Sequence, residues 1–286
     1  DMGQFYTPFG IGTAKPDWKN QAVRHHLFDI INVPKDLTVA KYRKIVLEQA
    51  EKIWKKGKLP IIVGGSLFYL KSLYFPPKKI PKTERFPLED SCFKLDKEST
   101  NLWDKLYLID PKRAEKLHPN DIYRIKRALT IWYETGVKPS EYEPEFAPVF
   151  KSIFLFINPS KDILLARIKQ RTMQMIKEDG WIEEAEQLLS TDWEEFVNKK
   201  GLIGYQEIFA WIRSGKKKSD LDLLIQNIVC KTWQYAKRQI TFWKHLKNNL
   251  LLKENQKKSF CEVIEIENID KNNVEFLKDH ISKTLL

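Results

Sequence analysis

The chain reads LPIIVGGS over residues 59–66, and this stretch decides the predicted fold. Its first five residues are apolar without alternation, which predicts a short parallel strand buried on both faces. A turn of two glycines and a serine follows, and residues 67–74 return to helical spacing. Before the strand, residues 38–56 predict a helix with Thr38 as N-cap and Gly57 as its stop signal. Helix, buried strand, glycine turn and helix are the order typical of an α/β domain.

The glycine turn is also the first candidate binding feature. At the carboxyl end of a parallel strand, glycines let a ligand approach the backbone, and the next helix offers free N–H groups to an anion. The same residues can instead form a plain tight turn in which Ser66 caps the helix. The residues alone leave both interpretations open.

Towards the amino terminus, residues 1–16 read DMGQFYTPFGIGTAKP. The segment opens on the carboxylate Asp1, and a carboxylate placed at the exit of a strand is a candidate proton acceptor. Gly10 and Gly12 allow a sharp turn or a close approach to a ligand, and Lys15 adds a cation. A mobile loop with a solvated Asp1 is the alternative.

Towards the carboxyl terminus, four prolines and several basic residues between residues 76 and 87 mark a domain boundary. We expect an α/β core made of residues 1–82 and 148–286, with a helical insertion at residues 83–147. The best helix of the insertion follows Asp121 and ends at Gly136. Arg124 and Arg127 lie three residues apart on it, a spacing that suits phosphate binding but also ordinary solvated surface.

The sheet resumes at residues 153–157, and the helix after it carries Arg167 and Arg171 on one face. A long helix over residues 219–246 combines cations with aromatic side chains, which can bind single-stranded RNA. Cations that extend along a partly buried helix are the alternative. A short strand at residues 261–266 and a terminal helix complete the prediction.

Composition narrows the class of protein. A net charge of +11 and a pI near 9.3 favour a polyanionic partner. The three cysteines are far apart, which suits the reducing cytosol, and no apolar run is long enough to cross a bilayer. We therefore expect a cytoplasmic protein. His25 and His26 are adjacent, but no further ligand lies at metal-binding spacing, so the sequence leaves the metal ligands unknown.

Four segments resemble the tRNA dimethylallyltransferase family, also called tRNA isopentenyltransferases. They are Asp1, Gln4 and Tyr6 with residues 11–16, VGGS with Tyr69, residues 110–129, and residues 236–241. Two departures stand out. Met2 occupies the usual position of a serine, and the family's G-x-x-x-x-G-K-[ST] phosphate loop does not occur in the 286 residues. The chain is therefore expected to begin late relative to the family.

The resemblance implies an α/β fold with a P-loop-NTPase-like parallel sheet flanked by helices and a helical insertion domain. It makes Asp1 the general base and assigns the diphosphate to Arg171 and Ser66. We expect Asp1, Ser66 and Arg171 to converge on one channel. The residues implied to contact tRNA share the family's motif positions: Asp1, Met2, Gly3, Gln4, Ser66, Arg85, Tyr123, Arg124, Ile125, Lys126, Arg127, Gly204, Tyr205, Lys237, Arg238, Gln239 and Thr241.

The implied reaction transfers a dimethylallyl group from dimethylallyl diphosphate to N6 of the adenosine next to the anticodon (position 37), with release of diphosphate. The implied partners are the anticodon stem-loop of tRNA, dimethylallyl diphosphate and Mg²⁺, and the expected state is a monomer. Two alternatives remain from the sequence: an adenylate isopentenyltransferase acting on free nucleotides, and a catalytically inactive tRNA-binding relic. Asp-rich D-D-x-x-D clusters are absent, which disfavours a helical terpenoid synthase.

Overall fold

The computed structural model describes residues 2–78, 101–254 and 261–285. The chain divides into two compact units, one of residues 1–73 with 148–286 and the other of residues 74–147. The expected boundary between residues 82 and 83 lies outside the described residues. Within the described ranges, every helix is too short or too polar to span a lipid bilayer.

The described elements are mostly helices, with two strands and three short 3-10 turns. The 3-10 turns are Gly3–Phe5, Pro139–Tyr142 and Lys218–Asp220. In chain order the helices and strands are α1 (Val39–Trp54), α2 (Leu67–Tyr74), α3 (Leu102–Ile109), α4 (Pro111–Ala114), α5 (Ile122–Thr135), β1 (Ser152–Ile157), α6 (Lys161–Lys177), α7 (Trp181–Glu186), α8 (Asp192–Lys200), α9 (Tyr205–Arg213), α10 (Leu221–Glu254), β2 (Cys261–Ile266) and α11 (Lys271–Leu285).

The two strands form a parallel pair, in register from Ser152 opposite Cys261 to Ile157 opposite Ile266. Helix α10 packs on this pair through Trp243. The Trp243 ring stacks on Phe156 with centroids 4.6 Å apart, and its Nε1 donates a hydrogen bond to Glu265 Oε1 at 2.6 Å. The strands predicted at residues 153–157 and 261–266 are confirmed, and so is the α/β class, in a helix-rich form with a small parallel sheet.

The strand predicted at residues 59–63 does not form. Residues 60–64 have no regular structure, and the side chains of Ile61 and Val63 are 75% and 83% exposed. A parallel strand depends on a neighbour that pairs with its backbone groups. Among the described residues, the only strand pairing besides β1 with β2 is an isolated bridge between Tyr6 and Ile31. The apolar run therefore stays extended and exposed.

Helix α1 begins and packs as its sequence pattern predicts. The Thr38 hydroxyl accepts a hydrogen bond from the Lys41 backbone N–H at 3.2 Å, which satisfies a free donor of the first turn. Tyr42, Val46 and Ala50 recur every four residues and are buried, so one stripe of the helix faces the core.

The second unit is held by a core under α3, α4 and α5. Its ends meet where the Ala147 N–H donates to the Tyr74 carbonyl at 2.8 Å. The buried Asp110 carboxylate accepts hydrogen bonds from the backbone of Arg113 at 3.1 Å and of Ser140 at 2.7 Å. The apolar core residues are Leu102, Leu106, Ala114, Leu117, Ile125, Ala128 and Leu129.

We predict that Ile125→Ala destabilises the protein. Ile125 is fully buried in this core, and removing such a side chain costs about 2–5 kcal/mol of lost burial and cavity formation. Ile122→Ala on the same helix is the matched control, since Ile122 is 44% exposed and a surface change costs roughly 0.5 kcal/mol or less. Urea denaturation measures both. Equal effects of the two variants would contradict this packing.

Candidate substrate-binding site

The start of the chain and the glycine turn meet in a small cavity of about 40 Å³. Met2 and Ser66 both line it, together with Phe5, Tyr42 and Tyr69. The Tyr69 hydroxyl donates to the Leu37 carbonyl at 2.8 Å and lies 3.6 Å from Met2 Sδ. Burial raises the pKa of Tyr42 to about 12, so its phenol stays protonated near neutral pH. We call this space the Ser66 cavity. The proposed base Asp1 precedes Met2 in the sequence and lies outside the described residues.

Helix α10 is tied to the glycine turn through Gln239. Its Nε2 donates to the Gly65 carbonyl at 2.8 Å. A Cβ on Gly65 would lie 2.2 Å from that nitrogen, so any larger residue would displace the Gln239 amide from this contact. Gln239, which the sequence assigns to tRNA, thus also holds the turn that carries Ser66.

The other α10 residues predicted to contact tRNA lie on the surface. Lys237 and Arg238 are exposed, and their cationic groups lie 5.9 Å and 6.0 Å from the ring centroids of Trp233 and Tyr235. The Thr241 hydroxyl donates back to the Lys237 carbonyl at 3.0 Å. The two cations therefore directly precede Gln239, the residue that reaches the glycine turn.

A second, larger cavity of about 680 Å³ contains Arg171. Gly10, Ile11 and Lys15 line it as well. Arg171 is exposed and forms no ion pair or hydrogen bond with any residue that the structure describes. We call this space the Arg171 cavity.

Lys15, which lines the same cavity, already has partners within the protein. Its side chain is 7% exposed and pairs with Asp29, and its Nζ donates to the Tyr6 carbonyl at 2.9 Å. The Trp18 indole donates to the other oxygen of Asp29 at 2.9 Å. Lys15 therefore holds its own loop, while Arg171 and Lys19 are lining cations without an ion pair among the described residues; the Lys19 ammonium lies 5.5 Å from the centroid of the Trp18 ring.

Ser66 and Arg171 line different cavities, so the expected single channel is not present in these two spaces. The amino-terminal segment connects them instead. Met2 lines the Ser66 cavity, while Gln4 Nε2 donates to the carbonyls of Thr13 and Ala14 at 3.0 Å and 3.2 Å. The loop that contains Thr13 and Ala14 also forms part of the wall of the Arg171 cavity, through residues 10, 11, 14 and 15.

The loop itself is held by Glu184 of α7, a residue that the sequence analysis missed. Glu184 Oε2 accepts hydrogen bonds from the backbone of Gly10 at 2.9 Å and of Ile11 at 2.7 Å. Its Oε1 accepts from Gly12 N at 3.0 Å and from the Tyr205 hydroxyl at 2.6 Å. Glu184 stands in the run EEAE, and nothing in that run distinguishes it from its acidic neighbours.

Tyr205 and Gly204 were expected to contact tRNA, but both are buried. Tyr205 is 1% exposed, and burial, followed by the negative charge of Glu184, raises the pKa of its phenol. Gly204 is buried too, and a Cβ there would lie 2.0 Å from the Trp181 ring. Both residues are buried, and the Tyr205 hydroxyl instead donates to Glu184, which holds the loop at residues 10–12.

In the second unit, the predicted tRNA residues divide between surface and core. Tyr123 is 82% exposed, and Arg124, Lys126 and Arg127 are exposed on α5. Arg124 also pairs with Asp121 of its own helix cap at 3.3 Å. Ile125 is fully buried, so its predicted contact is corrected to a packing role.

Three further residues were expected to contact tRNA. One of them is buried, and two lie outside the described residues. Gly3 is buried in the 3-10 turn at the start of the chain. Asp1 and Arg85 lie outside the described residues.

A dedicated Mg²⁺ site is not formed by the described residues, among which no three His, Cys, Asp or Glu side chains come together. Mg²⁺ commonly takes one or two carboxylates and completes its shell with substrate phosphates and water.

The adjacent histidines have local surroundings of their own. His25 Nδ1 lies 2.7 Å from the Val23 carbonyl. Burial and then the charges of Arg24 and Lys56 lower the pKa of His26.

Comparison with known proteins defines the class. A family model described as IPP transferase matches residues 4–246, and the chain belongs to this family of prenyl-transferring enzymes. Its relatives include a tRNA dimethylallyltransferase of Aquifex aeolicus, 32% identical over 246 residues, and one of Geobacter sulfurreducens, 35% identical over 251 residues. Each match covers 85% of this chain and 79% of the relative.

Solved structures agree. A tRNA isopentenylpyrophosphate transferase of Bacillus halodurans aligns with a TM-score of 0.59 and 27% identity, covering 100% of this chain and 86% of its own. A eukaryotic dimethylallyltransferase described as acting on tRNA aligns with a TM-score of 0.73 over 98% of this chain and 70% of its own. At 24% identity, the second match shows the shared fold.

Proposed function

We infer that this protein is a tRNA dimethylallyltransferase, which transfers a prenyl group to tRNA. The family and the names of the relatives support this activity over the prenylation of free nucleotides and over an inactive relic. In finer terms, we propose dimethylallyl diphosphate as donor and N6 of the adenosine next to the anticodon as acceptor. The net charge of +11 suits a polyanionic substrate such as tRNA. We also propose that the protein acts as a monomer in the cytoplasm.

The observation that carries the proposal is the meeting of three distant segments around the glycine turn at residues 64–66. Met2 at the start of the chain, the glycine turn with Ser66, and Gln239 of α10 belong to three of the motifs on which the resemblance depends. Met2, the residue after the proposed base, lines the same cavity as Ser66, and the exposed Lys237 and Arg238 directly precede Gln239 in the sequence. This arrangement suits an adenine that has left the stack of an RNA loop.

The proposed chemistry follows from the acceptor. The lone pair of an adenine amino group is delocalised into the ring, so the nitrogen is a weak nucleophile. In our proposal N6 forms a bond to the allylic carbon, the carbon–oxygen bond to diphosphate breaks, and Asp1 accepts the proton from N6. A positioned base of this kind contributes about 10²- to 10⁴-fold to the rate.

The leaving diphosphate needs positive charge, and we assign this role to Arg171. Its guanidinium is unpaired within the described structure and can form two parallel hydrogen bonds to phosphate oxygens. Ser66 is the second proposed diphosphate contact, from the neighbouring cavity. Mg²⁺ is proposed as a partner of the diphosphate, and the described side chains supply no three-ligand site for it.

We expect Asp1→Ala to lower transfer far more than it lowers the affinity for tRNA. The substitution removes the proton acceptor, so turnover should fall by about 10²- to 10⁴-fold. Transfer of labelled dimethylallyl to unmodified tRNA measures turnover, and filter binding measures affinity. If the unaltered protein labels AMP but not tRNA, the acceptor is a free nucleotide; if it binds tRNA without labelling it, the protein is not a transferase.

Arg171→Ala should raise the KM for dimethylallyl diphosphate, because the variant cannot form the charge-assisted pair with the leaving group. A decrease of about tenfold or more in kcat/KM is expected for one such pair. Arg167→Ala is the matched control: it lies one turn earlier on α6, is exposed, and does not line the Arg171 cavity. A similar decrease in both variants, or a defect only in tRNA affinity, would remove Arg171 from the donor site.

Replacing Arg124 and Arg127 together by alanine should weaken tRNA binding. Each phosphate that the variant no longer neutralises lowers the slope of log K against log salt by roughly 0.7–0.9. The control replaces Lys41 and Lys44, which have the same spacing on α1 and are also exposed. An unchanged slope for the arginine pair would place it outside the RNA interface.

A further inference from the structure

We propose that Glu184 is a positioning residue for prenyl transfer, which fixes the loop at residues 10–12 between the two cavities. The inference rests on the proposed function, because it concerns the geometry of the donor cavity. Glu184 itself does not line either cavity. It acts through the loop, whose residues Gly10 and Ile11 form part of the wall beside Arg171.

The first argument is the number of donors that one carboxylate satisfies. Three consecutive backbone N–H groups, of residues 10, 11 and 12, point at Glu184 at 2.7–3.0 Å. The Tyr205 hydroxyl is the fourth donor, at 2.6 Å. Consecutive N–H groups that converge in this way form a concave site for an anion. Here the anion is the protein's own side chain, so the loop is held in one conformation.

The second argument is the shape of the surroundings. A Cβ on Gly12 would lie 2.2 Å from Trp181 Nε1 and 2.5 Å from the Tyr205 hydroxyl, so the loop backbone lies directly against these rings. Trp181 and Tyr205 are 3% and 1% exposed. The carboxylate and the two rings thus close around the loop from one side, and its other side faces the Arg171 cavity.

The third argument is the path from the loop to the proposed base. The loop continues through Thr13 and Ala14, whose carbonyls accept the side-chain amide of Gln4. Gln4 belongs to the turn that follows Asp1 and Met2. A shift of the loop would therefore move the wall beside Arg171 and the segment next to the base together. Displacement of about 1 Å in a reacting geometry can cost 10²-fold in rate.

Glu184→Gln separates charge from shape. The glutamine has almost the same volume, but it has one acceptor oxygen, and its NH₂ group would face either the Gly10 and Ile11 donors or the Gly12 and Tyr205 donors. With the NH₂ group towards Gly10 and Ile11, both of those hydrogen bonds are broken. In the other orientation the Gly12 bond is broken, while the Tyr205 hydroxyl can turn and accept from the NH₂ group. Glu183→Gln is the matched control, since Glu183 is the preceding, exposed residue on the same short helix.

We expect Glu184→Gln to lower kcat/KM for dimethylallyl diphosphate by about 10- to 100-fold, with changes in both KM and kcat. The Kd for tRNA should stay within about twofold of the unaltered protein, because the exposed cations on α5 and α10 are not among the residues that hydrogen-bond to Glu184. Tyr205→Phe, which removes one donor but keeps the carboxylate, should show a smaller decrease. Glu183→Gln should behave as the unaltered protein does.

Two results would overturn the inference. One is a kcat/KM for Glu184→Gln close to that of Glu183→Gln. The other is an equal decrease in tRNA affinity and donor kinetics, which would indicate general unfolding instead of a displaced loop.

Amide hydrogen exchange tests the inference without turnover. The N–H groups of residues 10–12 should exchange faster in Glu184→Gln and not in Glu183→Gln, and titration with inorganic diphosphate should show weaker binding in the first variant alone. If the unaltered protein transfers no prenyl group, the proposed function fails, while these two measurements still judge the role of Glu184. Unchanged exchange at residues 10–12 would refute that role.

Discussion

The carboxylate of Glu184 and the backbone N–H groups of residues 10–12 form the contact on which the site depends. These N–H groups form no backbone hydrogen bond of a strand or helix. Donors that are removed from water without a partner would destabilise the fold. One side chain from α7 satisfies all three and is itself braced by Tyr205. The glycine-rich loop therefore has a defined shape although it contains no regular secondary structure.

Charge is distributed unequally around the site. Lys15 is paired with Asp29 inside the loop, while Arg171 across the cavity has no partner among the described residues. A cation that already has hydrogen bonds must give them up to bind an anion, whereas an unpaired guanidinium loses only water. The sequence suggested both residues as cations near a ligand. The fold pairs Lys15 with Asp29 and leaves Arg171 without an ion pair among the described residues.

Sequence reasoning succeeded where a signal is local. The caps of α1 and α5, the strands β1 and β2, and the exposed cations of α5 follow from periodicity and from residue types at helix ends. It failed at residues 59–63, since an apolar run shows the tendency to be buried but not whether a partner strand lies beside it. It also failed at Tyr205, where a motif position gave no indication of burial.

The sequence by itself determined the family, the helical stripes and the candidate base, cations and glycine turn, because each depends on residue type and spacing along the chain. Only the tertiary structure decided that Gln239 reaches Gly65, that Ser66 and Arg171 line separate cavities, and that Glu184 rather than Glu183 holds the loop. Those facts concern residues that are far apart in the chain. They arise from how helices pack, which local spacing does not encode.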